Sequence, residues 1–450
     1  MLPIRTDAPT PVAGTGAARG FTTRQVHAGD VACDPGGVRP RATPVYLTAG
    51  FRFDDFEQAG AHFGTGEGYA YTRHGNPTTD AAERKVADLE GGAEALLVAS
   101  GQAAVTVAVL ALVAAGQRVL SATSVYEGTR GLFLENLPRL GIETGFVEDA
   151  NDPDEWDRRI TPDTRVLFCE SVPNPRNDLV DLAAVARVAH AHGLPLVVDN
   201  TLATPYLLRP IEHGADVVVH SASKFLAGQG AVLGGVVVDA GTFDAERSGA
   251  LFPHLVERTR LGGPGYAERF GGSARIAYAR ENVAPRLGPT PSPFTAFLVA
   301  QGVETLSLRV ARQSAVALEV AEWLAGRPEV LSVDYSGLPS SPSHDLARRY
   351  LPDGQGSVFS FTLRDGERAA RHVVESVRLF THMTHLGDVR SLVLHPASTS
   401  HVLRSPEEQA AAGIWPGTLR VSIGIEDPLD LVADLEQALT TVPAAPGRAS

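Results

Sequence analysis

The sequence contains little cysteine, no excess of positive charge and no long apolar run, and each shortage excludes a class of protein. Cys33 and Cys169 are the only cysteines in 450 residues and have no metal-ligand spacing, which excludes a disulfide framework and favours the reducing cytoplasm. The net charge of −13, without a dense Lys/Arg cluster, argues against nucleic acid as a partner. The longest apolar run, residues 103–115, falls short of the roughly 20 residues that span a bilayer, so no membrane segment is expected.

The histidines are scattered in a way that predicts no metal site. His190 and His192 lie two residues apart on a predicted helix and cannot face one ligand. His382 and His385 could share a face, but no carboxylate or cysteine nearby completes a ligand set. We therefore expect no bound metal.

Both ends of the chain are rich in small residues and proline. Residues 1–20 lack the apolar segment of a signal peptide and are predicted to form a disordered tail. Residues 441–450 have a similar composition and are predicted to be a flexible tail. The remaining length is too great for a single core, so two or three units are expected.

From about residue 80, helix-like and strand-like segments alternate. Continuous apolar runs rich in β-branched residues predict strands buried on both faces, and hence a mostly parallel sheet between helix layers. These runs are 94–100, 118–122, 143–149, 164–171, 194–200, 216–220 and 233–239. After residue 326 the strand-like segments alternate apolar and polar residues, as half-exposed antiparallel strands do. The sequence predicts an α/β domain at 76–300 and a smaller C-terminal α+β domain at 301–440.

Four of the predicted strand ends carry reactive or ligand-binding groups, and the carboxyl ends of parallel strands meet along one crevice. The groups are Ser100, Gly101 and Gln102 after the first strand, Asn174 after the fourth, Asp199 at the end of the fifth, and Ser221, Ser223 and Lys224 after the sixth. Each has an ordinary alternative explanation, such as a helix cap, a turn residue or a solvated loop lysine. Their convergence on one sheet edge favours a common site.

The set matches the requirements of pyridoxal phosphate. The phosphate needs N–H groups at a helix N-terminus, available at Gly101 and Gln102, and hydroxyls, available from the two serines after the sixth strand. A carboxylate such as Asp199 keeps the pyridine nitrogen protonated, which makes the ring an electron sink. The aldehyde needs an amine whose pKa is lowered by partial burial. Lys224 is therefore predicted to be the Schiff-base lysine.

Longer motifs carry a family resemblance over nearly the whole chain outside the tails. They include "YAYTRHGNPTTDAAERKVADLEGG", "ASGQAA", "VVDNTLATPY", "HSASKFLAGQGAVLGG", "LGDVRSLVLHPASTSH" and "TLRVSIGIED". The chain resembles the Cys/Met-metabolism group of pyridoxal-phosphate enzymes. The resemblance implies the fold-type I, aspartate-aminotransferase-like architecture. Within the group, the "HPASTSH" loop and "EEQAAAGI" favour the O-acetylhomoserine sulfhydrylase branch.

The resemblance also implies an assembly in which two chains share a site. The arm at residues 21–75 would contribute to the neighbouring subunit's site, with Tyr71 and Arg73 reaching that subunit's cofactor phosphate. The active unit would then be a homodimer, paired into a homotetramer.

Further residues receive roles from the resemblance. Tyr126 would stack on the cofactor ring and is a second candidate for catalysis beside the lysine. Arg420 would hold the substrate α-carboxylate as a bidentate fork. Ser398 and Asn174 would support that carboxylate or the ring oxygen of the cofactor.

The activity implied by the resemblance is γ-substitution on O-acetyl-L-homoserine with sulfide, giving L-homocysteine and acetate. The partners would be an amino-acid substrate and sulfide or a thiol. Cystathionine γ-synthase and methionine or cystathionine γ-lyase activities are alternatives, and a non-catalytic protein that binds pyridoxal phosphate is an alternative of another class. The residues leave open the acyl group, acetyl or succinyl, and the identity of the nucleophile.

Overall fold

The computed structural model describes residues 19–29, 40–65, 68–260 and 262–442. Cys33 and almost all of the two predicted tails, 1–20 and 441–450, lie outside these residues. Within the described part of the chain, no helix is long and apolar enough to cross a membrane. The same residues contain no group of three or more His, Cys, Asp or Glu side chains that could hold a metal ion.

A seven-stranded sheet forms the centre of the first part of the fold. Its strands are β1 (Glu94–Val98), β2 (Arg118–Ala122), β3 (Glu143–Val147), β4 (Thr164–Glu170), β5 (Leu196–Asp199), β6 (Val217–Ser221) and β7 (Gly235–Asp239). Their spatial order is β1-β7-β6-β5-β4-β2-β3. Only β7 runs antiparallel to its neighbours. The predicted mostly parallel α/β sheet is confirmed.

Helices cover both faces of this sheet. The helices in this part of the chain are α1 (Phe21–His27), α2 (Phe56–Thr65), α3 (Pro77–Glu90), α4 (Gly101–Leu110), α5 (Glu127–Gly131), α6 (Pro153–Arg159), α7 (Leu182–Ala191), α8 (Thr204–Leu207), α9 (Ala245–Ser248), α10 (Pro253–Val256), α11 (Tyr266–Phe270), α12 (Ala274–Tyr278), α13 (Ala284–Leu287) and α14 (Pro293–Val303). Successive residues of β5 enter two different apolar clusters, Val197 one and Val198 the other. Burial of both faces explains why the strand sequences show no polar alternation.

A second, five-stranded sheet follows the long helix α15 (Leu306–Ala325). The remaining elements are β8 (Val330–Asp334), α16 (His344–Tyr350), β9 (Val358–Leu363), α17 (Gly366–Ser376), β10 (Thr381–His382), β11 (Leu392–Leu394), α18 (Pro406–Ala411), β12 (Thr418–Ser422) and α19 (Pro428–Thr440). The strand order is β10-β11-β12-β9-β8, with only the β10–β11 pair parallel. The two sheets fall within the predicted domains at 76–300 and 301–440, whose boundaries stay predictions.

The strand ends of the first sheet bring the polar groups of interest together. Glu170 at the end of β4 is the register partner of Asp199 at the end of β5, and Asp199 pairs in turn with Val219 of β6. Ser100 caps α4 directly after β1, its hydroxyl accepting a hydrogen bond from the Ala103 amide at 3.1 Å. These elements meet at one edge, where the crevice of a parallel sheet is expected.

Candidate active site

Lys224 lies in a tight turn that follows β6. Its amide donates to the Ser221 carbonyl at 3.1 Å, and its own carbonyl accepts from the Gly228 amide at 2.7 Å. The amine Nζ lies 3.2 Å from Nδ1 of His385. Burial, with the nearby Arg420 guanidinium, lowers the pKa of Lys224 to about 8. Roughly a tenth of this amine is therefore unprotonated at pH 7, far more than for a solvated lysine.

The turn that contains Lys224 (residues 221–228, the lysine turn) is held by a side chain of the long helix α15. Arg309 donates from Nη1 to the Phe225 carbonyl at 2.9 Å and from Nη2 to the Gly302 carbonyl at 2.7 Å. A side chain at Gly228, whose φ is +77°, would collide with this guanidinium. These contacts fix the backbone on the C-terminal side of Lys224, which limits the positions that its amine can reach.

A buried carboxylate, that of Glu170, and a half-buried one, that of Asp199, lie at the adjoining strand ends. The Asp199 carboxylate accepts a hydrogen bond from the Thr201 amide at 2.9 Å, and burial raises its pKa. Burial and then the Asp199 charge raise the pKa of Glu170 well above its ordinary value. Glu170 accepts a hydrogen bond from the Tyr126 amide at 2.5 Å. Two adjacent carboxyl groups in this environment do not both ionise readily, and Glu170 is the one whose neutral form is favoured.

Contacts link Asp199 to the start of α4. The Thr201 hydroxyl accepts a hydrogen bond from the Ser221 amide at 2.8 Å. A Cβ built on Gly101 would lie 2.7 Å from Cβ of Ser221 and 2.9 Å from its hydroxyl, so only glycine permits this approach. The first amides of a helix, here those of Gly101 and Gln102, have no partner within the helix and form a site suited to phosphate.

Gln102 and Ser223 were predicted to bind the phosphate, the first through its backbone N–H and the second through its hydroxyl. The side chains of both have other partners in this structure. The Gln102 amide group donates to the Gly128 carbonyl at 2.9 Å and accepts from the Thr129 hydroxyl at 3.3 Å. The buried Ser223 hydroxyl accepts from the Gly234 amide at 2.9 Å and contacts the Gly234 carbonyl at 3.3 Å. Gln102 therefore positions α5, and Ser223 closes the loop before β7.

Arg420 projects from β12 of the second sheet toward the lysine. Its Nη1 donates to the Asn174 side chain at 3.3 Å, and its Nη2 donates to the His385 carbonyl at 3.1 Å. Burial lowers its pKa to about 10, which leaves the guanidinium charged at neutral pH. Its Nε is buried and has no partner among the described residues. An unpaired buried donor on a cation is suited to bind an anion such as a carboxylate.

The side chains of Tyr126 and Ser398 are both exposed. The Tyr126 side chain is 50% exposed, and its ring packs over Gly128, where a Cβ would approach it to 2.5 Å. Ser398 is exposed, and its hydroxyl lies 2.7 Å from Nδ1 of His395. Half of a large aromatic ring is thus available to cover a flat ligand.

Tyr71 and Arg73 lie on the surface, next to one another. The Arg73 guanidinium is 5.4 Å from the centre of the Tyr71 ring and donates to the Pro285 carbonyl at 2.6 Å. Their predicted role concerns a second copy of the chain and stays a prediction.

Two residues of this site were not selected from the sequence. Glu170 lies at a strand end where the sequence predicted only Asn174 as a site residue. Its position as the register partner of Asp199 is the signal that identifies it. The sequence pattern around His385 suggests only a potential metal ligand, paired with His382. Its contact with Lys224 joins residues 161 positions apart, and no local pattern indicates such a contact.

The groups fit the predicted cofactor, pyridoxal phosphate. An amine with a pKa near 8, a half-buried carboxylate and a glycine-lined helix start are joined by direct contacts through Thr201 and Ser221. Arg420 adds an anion-binding donor beside the amine. The role of each residue toward the cofactor stays a prediction.

The comparisons with known proteins agree with this chemistry. The model of a family described as Cys/Met metabolism PLP-dependent enzyme matches residues 22–440. A homocysteine synthase of Schizosaccharomyces pombe is 41% identical over 427 residues, covering 93% of this chain and 98% of the relative. An O-acetyl-L-homoserine sulfhydrylase of Leptospira meyeri is 41% identical over 413 residues, covering 89% and 93%.

A solved structure gives the same result at the level of the fold. It is a putative O-acetylhomoserine (thiol)-lyase of Campylobacter jejuni, which carries an N'-pyridoxyl-lysine-5'-monophosphate. It is 33% identical and superposes with a TM-score of 0.87, over 94% of this chain and 100% of the other.

Proposed function

Because the chain belongs to the family of Cys/Met metabolism PLP-dependent enzymes, we propose that it replaces the acetate of O-acetyl-L-homoserine by sulfide and releases L-homocysteine. Relatives that bear the names homocysteine synthase and O-acetyl-L-homoserine sulfhydrylase support this choice, at about 40% identity over most of the chain. The fold is the predicted aspartate-aminotransferase-like, fold-type I architecture. The reaction belongs to methionine and cysteine biosynthesis.

One observation carries the proposal. The amine of Lys224, with its pKa lowered to about 8, lies beside the buried Arg420, whose Nε has no partner in the part of the chain that the structure describes. A base for a carbon acid and a binding group for the carboxylate on the same carbon are thus adjacent. This pair is what an enzyme needs to remove the α-proton of an amino acid.

The residues that would hold pyridoxal phosphate are those joined at the strand ends. The amides of Gly101 and Gln102 and the Ser221 hydroxyl would bind the phosphate. Asp199 would face the pyridine nitrogen, and the Tyr126 ring would cover the cofactor. When bound, the cofactor supplies an electron sink for the carbon from which a proton is removed.

The chain's own groups divide the remaining work between binding and proton transfer. Arg420 and Asn174 would hold the α-carboxylate, which places the Cα proton within reach of Lys224. Lys224 would remove that proton and then move a proton at Cβ, after which acetate leaves Cγ and sulfide adds there. The neutral Glu170 side chain holds the backbone of Tyr126 over the site.

We further propose that the active unit is a homodimer and that dimers pair into a homotetramer. The part of the arm that the structure describes exposes large apolar side chains: Leu47 is 72% exposed, Phe56 87% and Phe63 65%. Apolar side chains exposed to this degree along one segment are typical of an interface. A second copy of the chain that packs against the arm would cover these side chains. The arm's Tyr71 and Arg73 would then reach the cofactor phosphate bound by that second copy. The cytoplasmic location stays a prediction from cysteine usage.

Product identification tests the proposed reaction. The purified, cofactor-loaded enzyme is given O-acetyl-L-homoserine with sulfide, with cysteine or with no nucleophile, and products are identified by mass spectrometry. Homocysteine and acetate, formed only with sulfide, are expected. Cystathionine as the main product would identify a cystathionine synthase and overturn the proposal. 2-Oxobutanoate formed without a nucleophile would identify a lyase and overturn it as well. O-succinyl-L-homoserine in a parallel series identifies the acyl group.

A further inference from the structure

His385 contacts the catalytic amine directly. Its Nδ1 lies 3.2 Å from Nζ of Lys224, within hydrogen-bonding distance. The residue belongs to the segment 383–391, which connects β10 to β11 in the second sheet. The contact therefore joins the two sheets at the reacting nitrogen.

The backbone of this segment is held against the lysine turn by further contacts. The Val389 amide donates to the Gly228 carbonyl at 3.0 Å, and Arg390 donates to the Gln229 carbonyl at 3.1 Å. A Cβ on Gly387, whose φ is +75°, would lie 2.8 Å from the backbone nitrogen of Phe225. Glycine at 387 therefore permits the close approach, and the position of His385 follows from main-chain packing.

The imidazole of His385 is neutral at working pH. Burial, followed by the charge of Lys224, lowers its pKa to about 4. The other charged groups that face it are Arg420, on β12, and Asp388 and Arg390 on its own segment. The lysine holds its proton more strongly than the imidazole does, since its pKa is about 8. Nδ1 is consequently an acceptor for the ammonium, with the ring proton on Nε2.

We propose that His385 is a positioning residue for the catalytic lysine: Nδ1 accepts a hydrogen bond from the Lys224 ammonium and holds the proton-loaded amine between its two proton transfers. The inference rests on the proposed function, in which Lys224 removes a proton from one carbon and moves a proton at the next. After the first transfer the amine carries a positive charge in a partly buried site. A neutral acceptor stabilises that charge without adding a competing cation.

Substitutions of the His385 side chain distinguish an effect on proton transfer from an effect on substrate binding. Arg420 contacts the backbone carbonyl of His385, at 3.1 Å, and not its side chain. Replacing the imidazole therefore leaves that contact of the carboxylate-binding arginine in place. We expect side-chain variants of His385 to lower kcat and to leave KM for the amino acid nearly unchanged.

The composition of the chain allows a direct test. Lys85 and Lys224 are its only lysines, so protein labelled with ¹³C at the lysine ε-carbon gives two lysine signals. Lys85 is buried, with its amine 3.0 Å from the Glu304 carboxylate, and its signal serves as an internal control for folding. The titration of Lys224 is then followed in the full-length, cofactor-free chain.

Two matched variants are compared with the parent. His385→Leu removes the acceptor, and His385→Asn retains an oxygen acceptor that cannot be protonated. We expect Lys224 to titrate near pH 8 in the parent. In His385→Leu its pKa should fall by about one unit, a tenfold change in the protonation equilibrium. His385→Asn should restore the parent value. An unchanged pKa in His385→Leu, or an equal fall in both variants, would overturn the proposal.

Steady-state kinetics of the cofactor-loaded variants provide the second readout. The Leu variant should lose about tenfold in kcat with KM within twofold, and the Asn variant should recover most of the loss. Should the Lys85 signal show that the Leu variant is unfolded, His385→Ala serves as a second acceptor-free variant. A shifted Lys224 titration in an enzyme that makes no homocysteine would refute the proposed function and leave the contact established.

Discussion

Glu170 and Asp199 are register partners at the carboxyl ends of two neighbouring parallel strands. Glu170 is buried and Asp199 is half-buried, and the burial raises the pKa of each. For Glu170 the Asp199 charge raises it further, while the Tyr126 amide occupies one of its oxygens. We therefore propose different roles for these two similar groups: Asp199 would ionise against the cofactor's ring nitrogen, and Glu170 would remain a neutral acceptor.

The pair predicts effects of very different size on kcat for two conservative substitutions. Glu170→Gln should change kcat by no more than about threefold, because the amide replaces a neutral carboxyl and still accepts from the Tyr126 amide. Asp199→Asn should lower kcat at least ~10²-fold, because a neutral amide no longer keeps the cofactor nitrogen protonated. Steady-state kinetics on both variants check this. Equal losses would contradict the division of tasks.

The lowered pKa of Lys224 predicts a pH dependence for cofactor attachment. Only the unprotonated amine attacks the aldehyde, so the rate at which cofactor-free protein acquires visible absorbance should rise with pH and level off above about 8. At pH 7 the unprotonated fraction should exceed that of a solvated lysine roughly 300-fold, given their pKa difference of about 2.5 units, so attachment should be markedly faster than to a solvated lysine. Stopped-flow absorbance across pH 6–10 measures this. A rate still rising at pH 10 would show an ordinary lysine.

Arg420 should affect chiefly substrate binding, and the cofactor should still attach to Lys224 when Arg420 is replaced. Arg420→Ala removes the buried cation proposed to bind the α-carboxylate and should raise KM for O-acetyl-L-homoserine at least ~10-fold. Arg420→Lys should recover only part of the loss, because a point charge cannot replace the planar fork. The visible spectrum of the loaded enzyme should be unchanged in both. An unaltered KM in the alanine variant would place the carboxylate elsewhere.

Mixed dimers test the shared site. Lys224→Ala and Arg73→Ala proteins, each weakly active alone, are unfolded, mixed in equal amounts and refolded together. If Arg73 serves the neighbouring subunit, one site in each mixed dimer is intact, and about a quarter of the parent activity should return. No recovery, with mixed dimers shown by mass spectrometry, would mean that Arg73 acts in its own subunit. Each protein refolded alone is the control.

The sheet could be predicted because the sequence pattern of its strands indicates that they are buried. Runs such as 216–220 lack polar alternation, and the structure buries them on both faces, so local pattern and tertiary position agree. The polar groups at the strand ends follow from the same logic, since parallel strands place their carboxyl ends at one edge. Their position was therefore accessible from the sequence once the strands were identified.

Other contacts could not be predicted, because they depend on distances that no local pattern contains. The approach of His385 to Lys224 needs a glycine with positive φ at 387 and packing between two sheets. The engagement of the Ser223 hydroxyl with Gly234 depends on how the loop before β7 closes. The sequence does not distinguish Glu170 from other strand residues, because only the strand register places it beside Asp199.

The most direct measurement of the central claim is the position of the covalent link between the protein and its cofactor. The loaded enzyme is reduced with borohydride, which fixes the imine, and is then digested and sequenced by mass spectrometry. With only two lysines in the chain, the account predicts a pyridoxyl group on Lys224 and an unmodified Lys85. A pyridoxyl group on Lys85, or none on either lysine, would contradict it.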